Sequence, residues 1–287
     1  MFGFQFTLAK IKVYGIKFHV LLTALTDFET GKHYYEQNTA FFGKGITTTA
    51  NRVAFGDRAE MTFSENEFAG KGHMELSMSG KNYSLNLQMN AIKPPAWHCE
   101  DGKLKMGLVD DPKQTTFYYS YTNLASTGKL ILDGKELNLT GKSWFDKQGG
   151  TYTITNRFVQ WEWFSMRFFD DEEIMLFSFP QDNYHDGTFI DKSGKYRRLN
   201  NYGIEPLGFT EAGGYKFSNG WKLTIKGVKE EEYTIAPKIA GQFNLFFFEL
   251  LAEIKNKKGE LVGYCVTELL PGVYNEKTKS INAFKKV

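Results

Sequence analysis

Residues 73–89 read His73-Met74-Glu75-Leu76-Ser77-Met78-Ser79, then Gly80-Lys81-Asn82, then Tyr83-Ser84-Leu85-Asn86-Leu87-Gln88-Met89. Met74, Leu76 and Met78 alternate with polar neighbours, and Tyr83, Leu85, Leu87 and Met89 resume the alternation after the turn. A strand sends successive side chains to opposite faces, so a period of two buries one face and wets the other. The stretch is two antiparallel strands joined by a short turn. The same pattern continues on either side. Leu130-Ile131-Leu132 and Leu137-Asn138-Leu139 flank Asp133-Gly134, a dipeptide suited to a two-residue hairpin because both central residues take positive φ. Lys257-Lys258-Gly259 separates two further strand-like runs, 250–254 and 261–269. Sustained 3.6 periodicity is hard to find, which predicts few and short helices. Many antiparallel strands at regular spacing predict an all-β chain built as a barrel or sandwich.

The chain has 287 residues, room for about one or two domains at roughly 150 residues each. Two barrels fit, with Gly149-Gly150 as the natural seam between 1–150 and 151–287, although no sharp internal repeat marks a duplication. A net charge of +2 leaves no basic surplus for phosphate contacts and argues against a nucleic-acid partner. Aromatic residues reach 16%; strands tolerate such bulky residues well and large apolar pockets are lined with them, and an aromatic-rich β core accounts for most. Cys99 and Cys265 are too few for a disulfide scaffold or a cysteine zinc site; they read as unpaired core thiols, with one long-range bridge between them as the alternative. The longest apolar stretch, 243–251, is interrupted by Asn244 and Glu249 and falls short of the roughly 18 residues of a membrane span. Met1 runs straight into Phe2-Gly3-Phe4-Gln5-Phe6-Thr7 with no signal-peptide pattern, so the cytoplasm is the expected location. A segment upstream of this start is left open.

Most chemical signatures fail. Gly43-Lys44-Gly45 lacks the third glycine of a dinucleotide loop, and no Walker lysine, nucleophile elbow or H-E-x-x-H helix is present. His73-Met74-Glu75 opens like a deaminase signature but has no P-C-x-x-C partner. Asp182 to Ser193 begins like a calcium loop, yet Tyr184 and Ser193 occupy ligand positions, so it reads as a solvated loop. His98-Cys99-Glu100-Asp101 alternates its side chains between faces and is a poor metal set. No metal and no cofactor is expected.

What survives is Gly141-Lys142-Ser143-Trp144-Phe145-Asp146-Lys147-Gln148-Gly149, followed by Gln160-Trp161-Glu162-Trp163-Phe164-Ser165. Trp144 and Asp146 share one strand face, and Trp161, Trp163 and Ser165 share one face of another. If those faces meet, Asp146 sits among three indoles. Burial then keeps the carboxyl protonated and able to donate near neutral pH, and indole faces can stabilise a carbocation made by protonating an alkene. The plainer alternative is core tryptophans and a turn aspartate. Tyr264 and Glu268, four residues apart on one strand face, are candidate polar groups of the same pocket.

At this point the sequence resembles the carotenoid 1,2-hydratase (hydroxyneurosporene synthase) and AttH-like family. Tyr118-Tyr119-Ser120, Leu124, Gly128 and Leu130 resemble its YYS-x-x-x-L-x-x-x-G-x-L block. Gly141, Trp144 and Asp146 match the start of its G-x-x-W-x-D-x-E-W motif, and Trp161-Glu162-Trp163-Phe164 resembles the W-D-W-F segment that follows. Ala24-Leu25-Thr26-Asp27 resembles an A-L-T-D strand end, and Gly263-Tyr264 with Glu268 a closing strand. Gln148 and Gly149 stand where the family has a second acid and tryptophan, and the family's N-terminal E-W-W-Y strand has no counterpart.

The resemblance implies two consecutive lipocalin-like antiparallel β-barrel domains, the first possibly lacking its first strand. It also implies a small hydrophobic ligand in or between them: an isoprenoid, a polyene or a polyketide-like molecule. Three readings follow. One is an enzyme in which Asp146 initiates hydration or cyclisation of an alkene, with Trp144, Trp161, Trp163, Tyr264 and Glu268 binding substrate. Another is a lipocalin-like carrier without chemistry. The last is an interaction module whose aromatics are core. A buried Asp146 favours the first and a solvent-open Asp146 the second. The oligomeric state is not legible.

Overall fold

The computed structural model describes residues 1–13, 15–64, 72–106, 113–151, 161–180, 184–213, 215–228, 231–244, 247–270, 272–275 and 280–283. Among them there is no α-helix: the chain is all-β, with one nearly closed barrel and a half-barrel sheet in a lipocalin-type fold. The alternation at 73–89 resolves into strands His73–Ser79 and Tyr83–Ala91, paired antiparallel with Leu76 opposite Leu87. Met74, Leu76, Met78, Leu85 and Met89 are all buried. The Asp133-Gly134 hairpin forms as its chemistry requires, with φ of 49° and 79°. Cys99 and Cys265 are free and buried.

Two compact units result, each interrupted in sequence. The first comprises Met1–Pro95 and Asn123–Phe145, the second Ala96–Thr122 and Asp146–Val287. Strand Thr115–Leu132 contributes to both, and so does its hairpin partner Lys135–Thr151, which contains Gly149 and Gly150. The second unit's ten-stranded sheet is joined in its middle by a pairing far apart in sequence, strand Glu162–Phe168 against Leu261–Leu269. Its core is apolar and filled by side chains, among them Phe164, Leu176, Trp221, Leu223, Ile235 and Ala252. Trp221 meets Phe164 edge-on, with ring centroids 5.3 Å apart, a geometry worth about 0.5–1.5 kcal/mol beyond the buried area. Glu162 enters this core because Ser218 Oγ and Trp221 Nε1 each donate to its carboxyl, at 2.5 and 3.1 Å.

One reading from sequence is overturned. Residues 184–190 are not a solvated loop but strand Tyr184–Ile190. Its polar centre, Asp186, is fully buried and held by Arg198 through Nε at 2.9 Å and Nη2 at 2.7 Å. A buried ion pair disguised the strand, because the partner arginine lies on the neighbouring strand Tyr196–Leu199. Asp182 lies outside the described residues. Among the described residues no histidine, cysteine and carboxylate cluster suits a metal. Among the described residues no helix is long and apolar enough to cross a membrane.

Candidate functional site

Pairing register assembles the site. Trp163 lies opposite Glu268, and Glu268 lies opposite Glu249, across strands Glu162–Phe168, Leu261–Leu269 and Phe247–Asn256. Phe177 extends the row on the other side of Trp163. Residues in one row share one face. Phe164, Leu250 and Cys265 have the opposite parity and line the apolar core, so this row projects from the other face of the sheet. The carboxyls are therefore outside the filled barrel interior, not within it.

Glu249 and Glu268 face each other across adjacent strands, near enough that each shifts the other's titration. Trp161 Nε1 donates to Glu268 Oε1 at 2.5 Å. Burial pushes the Glu249 carboxyl well above the usual glutamate range, and the neighbouring Glu268 and Asp146 charges push it further. Glu268 is also raised by burial, with the bond from Trp161 opposing the shift. Two like charges this close cannot both form cheaply, so the pair keeps one proton, held chiefly by Glu249. Each residue retains a partial opening to solvent. Trp161 tilts towards Phe177 at 6.1 Å, and Phe177 stacks on Phe179 at 5.0 Å, making an aromatic wall beside the carboxyls.

Asp146 stands in a second group. Tyr118 and Ser120 lie two apart on strand Thr115–Leu132 and so project together. The Tyr118 hydroxyl donates to Asp146 Oδ1 at 2.7 Å, and Ser120 Oγ donates to the same oxygen. His98 Nε2 lies 2.7 Å from Ser120 Oγ, carried there by the pairing of Ala96 and Trp97 with Ser120 and Tyr119. Burial lowers the His98 pKa to about 3, so the ring is neutral. The Tyr118 phenol is held well above its ordinary value, first by burial and then by the Asp146 charge. Serine, not histidine, sits in the middle of the His98–Ser120–Asp146 chain, the wrong order for an acyl-transfer triad.

Asp146 itself is exposed. This corrects the expectation of a carboxyl buried among three indoles: among the described residues its strand pairs only with Thr115–Leu132, and it is exposed along most of its length. A carboxylate that receives two hydroxyl bonds is arranged as an acceptor. Of the other expected residues, Trp161, Trp163 and Glu268 come together. Tyr264 shares their face but lies about 13 Å along the strand from Glu268, packed on Phe169 at 5.7 Å. Trp144 is half-buried and belongs to the first unit. Gln148 donates to Thr116 Oγ1 at 2.7 Å. The sequence reading missed Glu249, Tyr118, Ser120 and His98. Glu249 carried a signal, a lone acid inside the longest apolar run.

Comparison with known proteins gives a coherent answer. The AttH-like family model matches residues 15–264. No curated protein sequence matches the chain. A protein assigned to AttH from Nitrosomonas europaea superposes with a TM-score of 0.81 at 18% identity, covering 93% of this chain and 86% of that one. Kievitone hydratase from Nectria haematococca superposes with a TM-score of 0.67 at 16% identity, covering 93% and 88%. CghA, solved with Sch210972, reaches 0.50 at 9% identity, covering 93% and 87%.

Proposed function

The chain belongs to the AttH-like family, and from that premise we propose that it protonates an alkene of a small hydrophobic substrate, an isoprenoid or polyene, and directs its hydration or cyclisation. The observation that carries this reading is the Glu249–Glu268 pair, a carboxylic acid kept protonated beside Trp161 and Trp163. One of the structures sharing the fold is a hydratase, in keeping with it.

Adding a proton to an isolated alkene makes a carbocation without help from a carbonyl, so the donor must be a protonated acid in a poorly solvated place. Glu249 meets that condition and Asp146, being exposed, does not. The acid role moves accordingly from Asp146 to the glutamate pair. The new C–H bond takes the Glu249 proton, and the indole faces lower the energy of the cation. Water, or a hydroxyl of the substrate, then bonds to the cationic carbon and gives its proton to Asp146. Asp146 passes that proton to solvent, from which the glutamate pair is reloaded. The sum is alkene plus water to alcohol, or an isomerising ring closure.

The exposure of Asp146 also favours a second reading, a carrier that binds the same lipophiles without chemistry. The experiment separating them incubates the protein with prenylated phenols, polyenes and fatty acids, following tryptophan fluorescence for binding and mass spectrometry for products. The enzyme reading expects turnover that falls at least ~100-fold in Glu249→Gln and Asp146→Asn, the scale of general acid–base catalysis, with binding retained. Quenching by a ligand that is never consumed would establish the carrier instead.

A further inference from the structure

His98 is fully buried and hydrogen-bonded to Ser120. We propose that His98 is a positioning residue that acts through Ser120 to hold the Asp146 carboxylate as a proton acceptor. This rests on the reading of Asp146 as the acceptor of the water or hydroxyl proton.

The argument is one of proton counting. Ser120 Oγ carries a single hydrogen and directs it to Asp146 Oδ1. Its bond with His98 Nε2 must therefore run the other way, with Nε2–H donating and the serine oxygen accepting. That fixes the imidazole as the Nε2–H tautomer, and the ring stays in it because burial keeps His98 neutral. The backbone locks the ring in place: His98 N–H donates to the Tyr118 carbonyl at 3.0 Å, and the ring packs on Tyr118 at 4.5 Å. A serine hydroxyl alone rotates among several acceptors. Saturated from behind by a rigid N–H donor, it keeps only the direction towards Asp146. The other titratable groups bearing on Asp146 are Tyr118, which donates directly, and Glu249 and Glu268, which act through charge.

Acting through Ser120 makes a distinctive prediction, since two residues in one relay cannot contribute independently. Carbon-13 spectra of labelled protein follow the Asp146 carboxyl titration in wild type, His98→Leu, His98→Gln, Ser120→Ala and the His98→Leu/Ser120→Ala double variant, each checked for native unfolding behaviour. His98→Leu is expected to move the Asp146 midpoint to higher pH, and Ser120→Ala to move it as far or further. The double variant matches Ser120→Ala alone. His98→Gln, whose amide restores a donor, returns towards wild type, and nitrogen-15 shifts of wild-type His98 report the Nε2–H tautomer. An unmoved midpoint in His98→Leu, shifts that add in the double variant, or the Nδ1–H tautomer overturns the proposal. If His98→Leu does not fold, Ser120→Ala and the tautomer decide it. None of these readouts needs a substrate, so absence of turnover by wild type would sink the enzymatic reading while leaving the relay measured.

Discussion

Replacing Glu249 by glutamine removes one charge from the glutamate pair while keeping a donor for Glu268. Below the ordinary glutamate pKa of ~4.3, wild type holds Glu249 protonated, and the amide of the variant can take its place, so the two proteins should be equally stable. Glu249 and Glu268 are directly opposite across two strands, and two unit charges ~4 Å apart cost ~4 kcal/mol at an effective dielectric of about 20. Partial opening to solvent screens this, leaving about 2 kcal/mol. A carboxyl raised on folding contributes stability that is fully present below its unfolded pKa, near ~4.3, and is lost as pH rises through the folded value. Wild type should therefore lose stability towards pH 9 where the variant does not. Urea unfolding below pH 4 and at pH 9 measures it: no difference at the acid pH, and Glu249→Gln more stable by about 2 kcal/mol at pH 9. A difference independent of pH, or a more stable wild type at pH 9, would refute the shared proton.

Arg198→Ala strands the fully buried Asp186 carboxylate and should cost about 3 kcal/mol in urea unfolding at neutral pH; a loss near zero would mean that the ion pair contributes nothing net. His98 has a depressed pKa, so wild type should lose stability as pH falls from about 6.5 through its folded value of about 3. His98→Leu should flatten that part of the profile, and an unchanged acid limb would count against a neutral buried ring. A methyl group on Gly128 would fall onto the Asn86 carbonyl oxygen of the neighbouring strand, so Gly128→Ala should destabilise by about 1–3 kcal/mol, read from thermal unfolding.

The strands were legible because burial repeats every second residue, and Asp133-Gly134 because positive φ selects its residues. Trp161, Trp163 and Glu268 could be read from local motif, and register then joined them. Asp146 was found but its environment was misjudged. Exposure depends on what covers a strand, and among the described residues Lys135–Thr151 pairs only with its own hairpin partner. Tyr118 and Ser120 lay inside a recognised block without any sign that they point at Asp146, a contact spanning 28 and 26 residues. Glu249 meets Glu268 only once two strands pair in one particular register. The strand at 184–190 was hidden for a related reason: its buried aspartate looks like a loop residue until Arg198 is seen beside it.

The central claim is that carbon is protonated by a protein acid. It is tested most directly by the isotope content of product formed in deuterium oxide from a prenylated phenol or polyene that the protein consumes. The glutamate pair exchanges with solvent through its partial opening, so the acid delivers deuterium. The account predicts one non-exchangeable deuterium per product molecule with wild type, and product formation at least ~100-fold slower with Glu249→Gln. Product carrying no carbon-bound deuterium would contradict it.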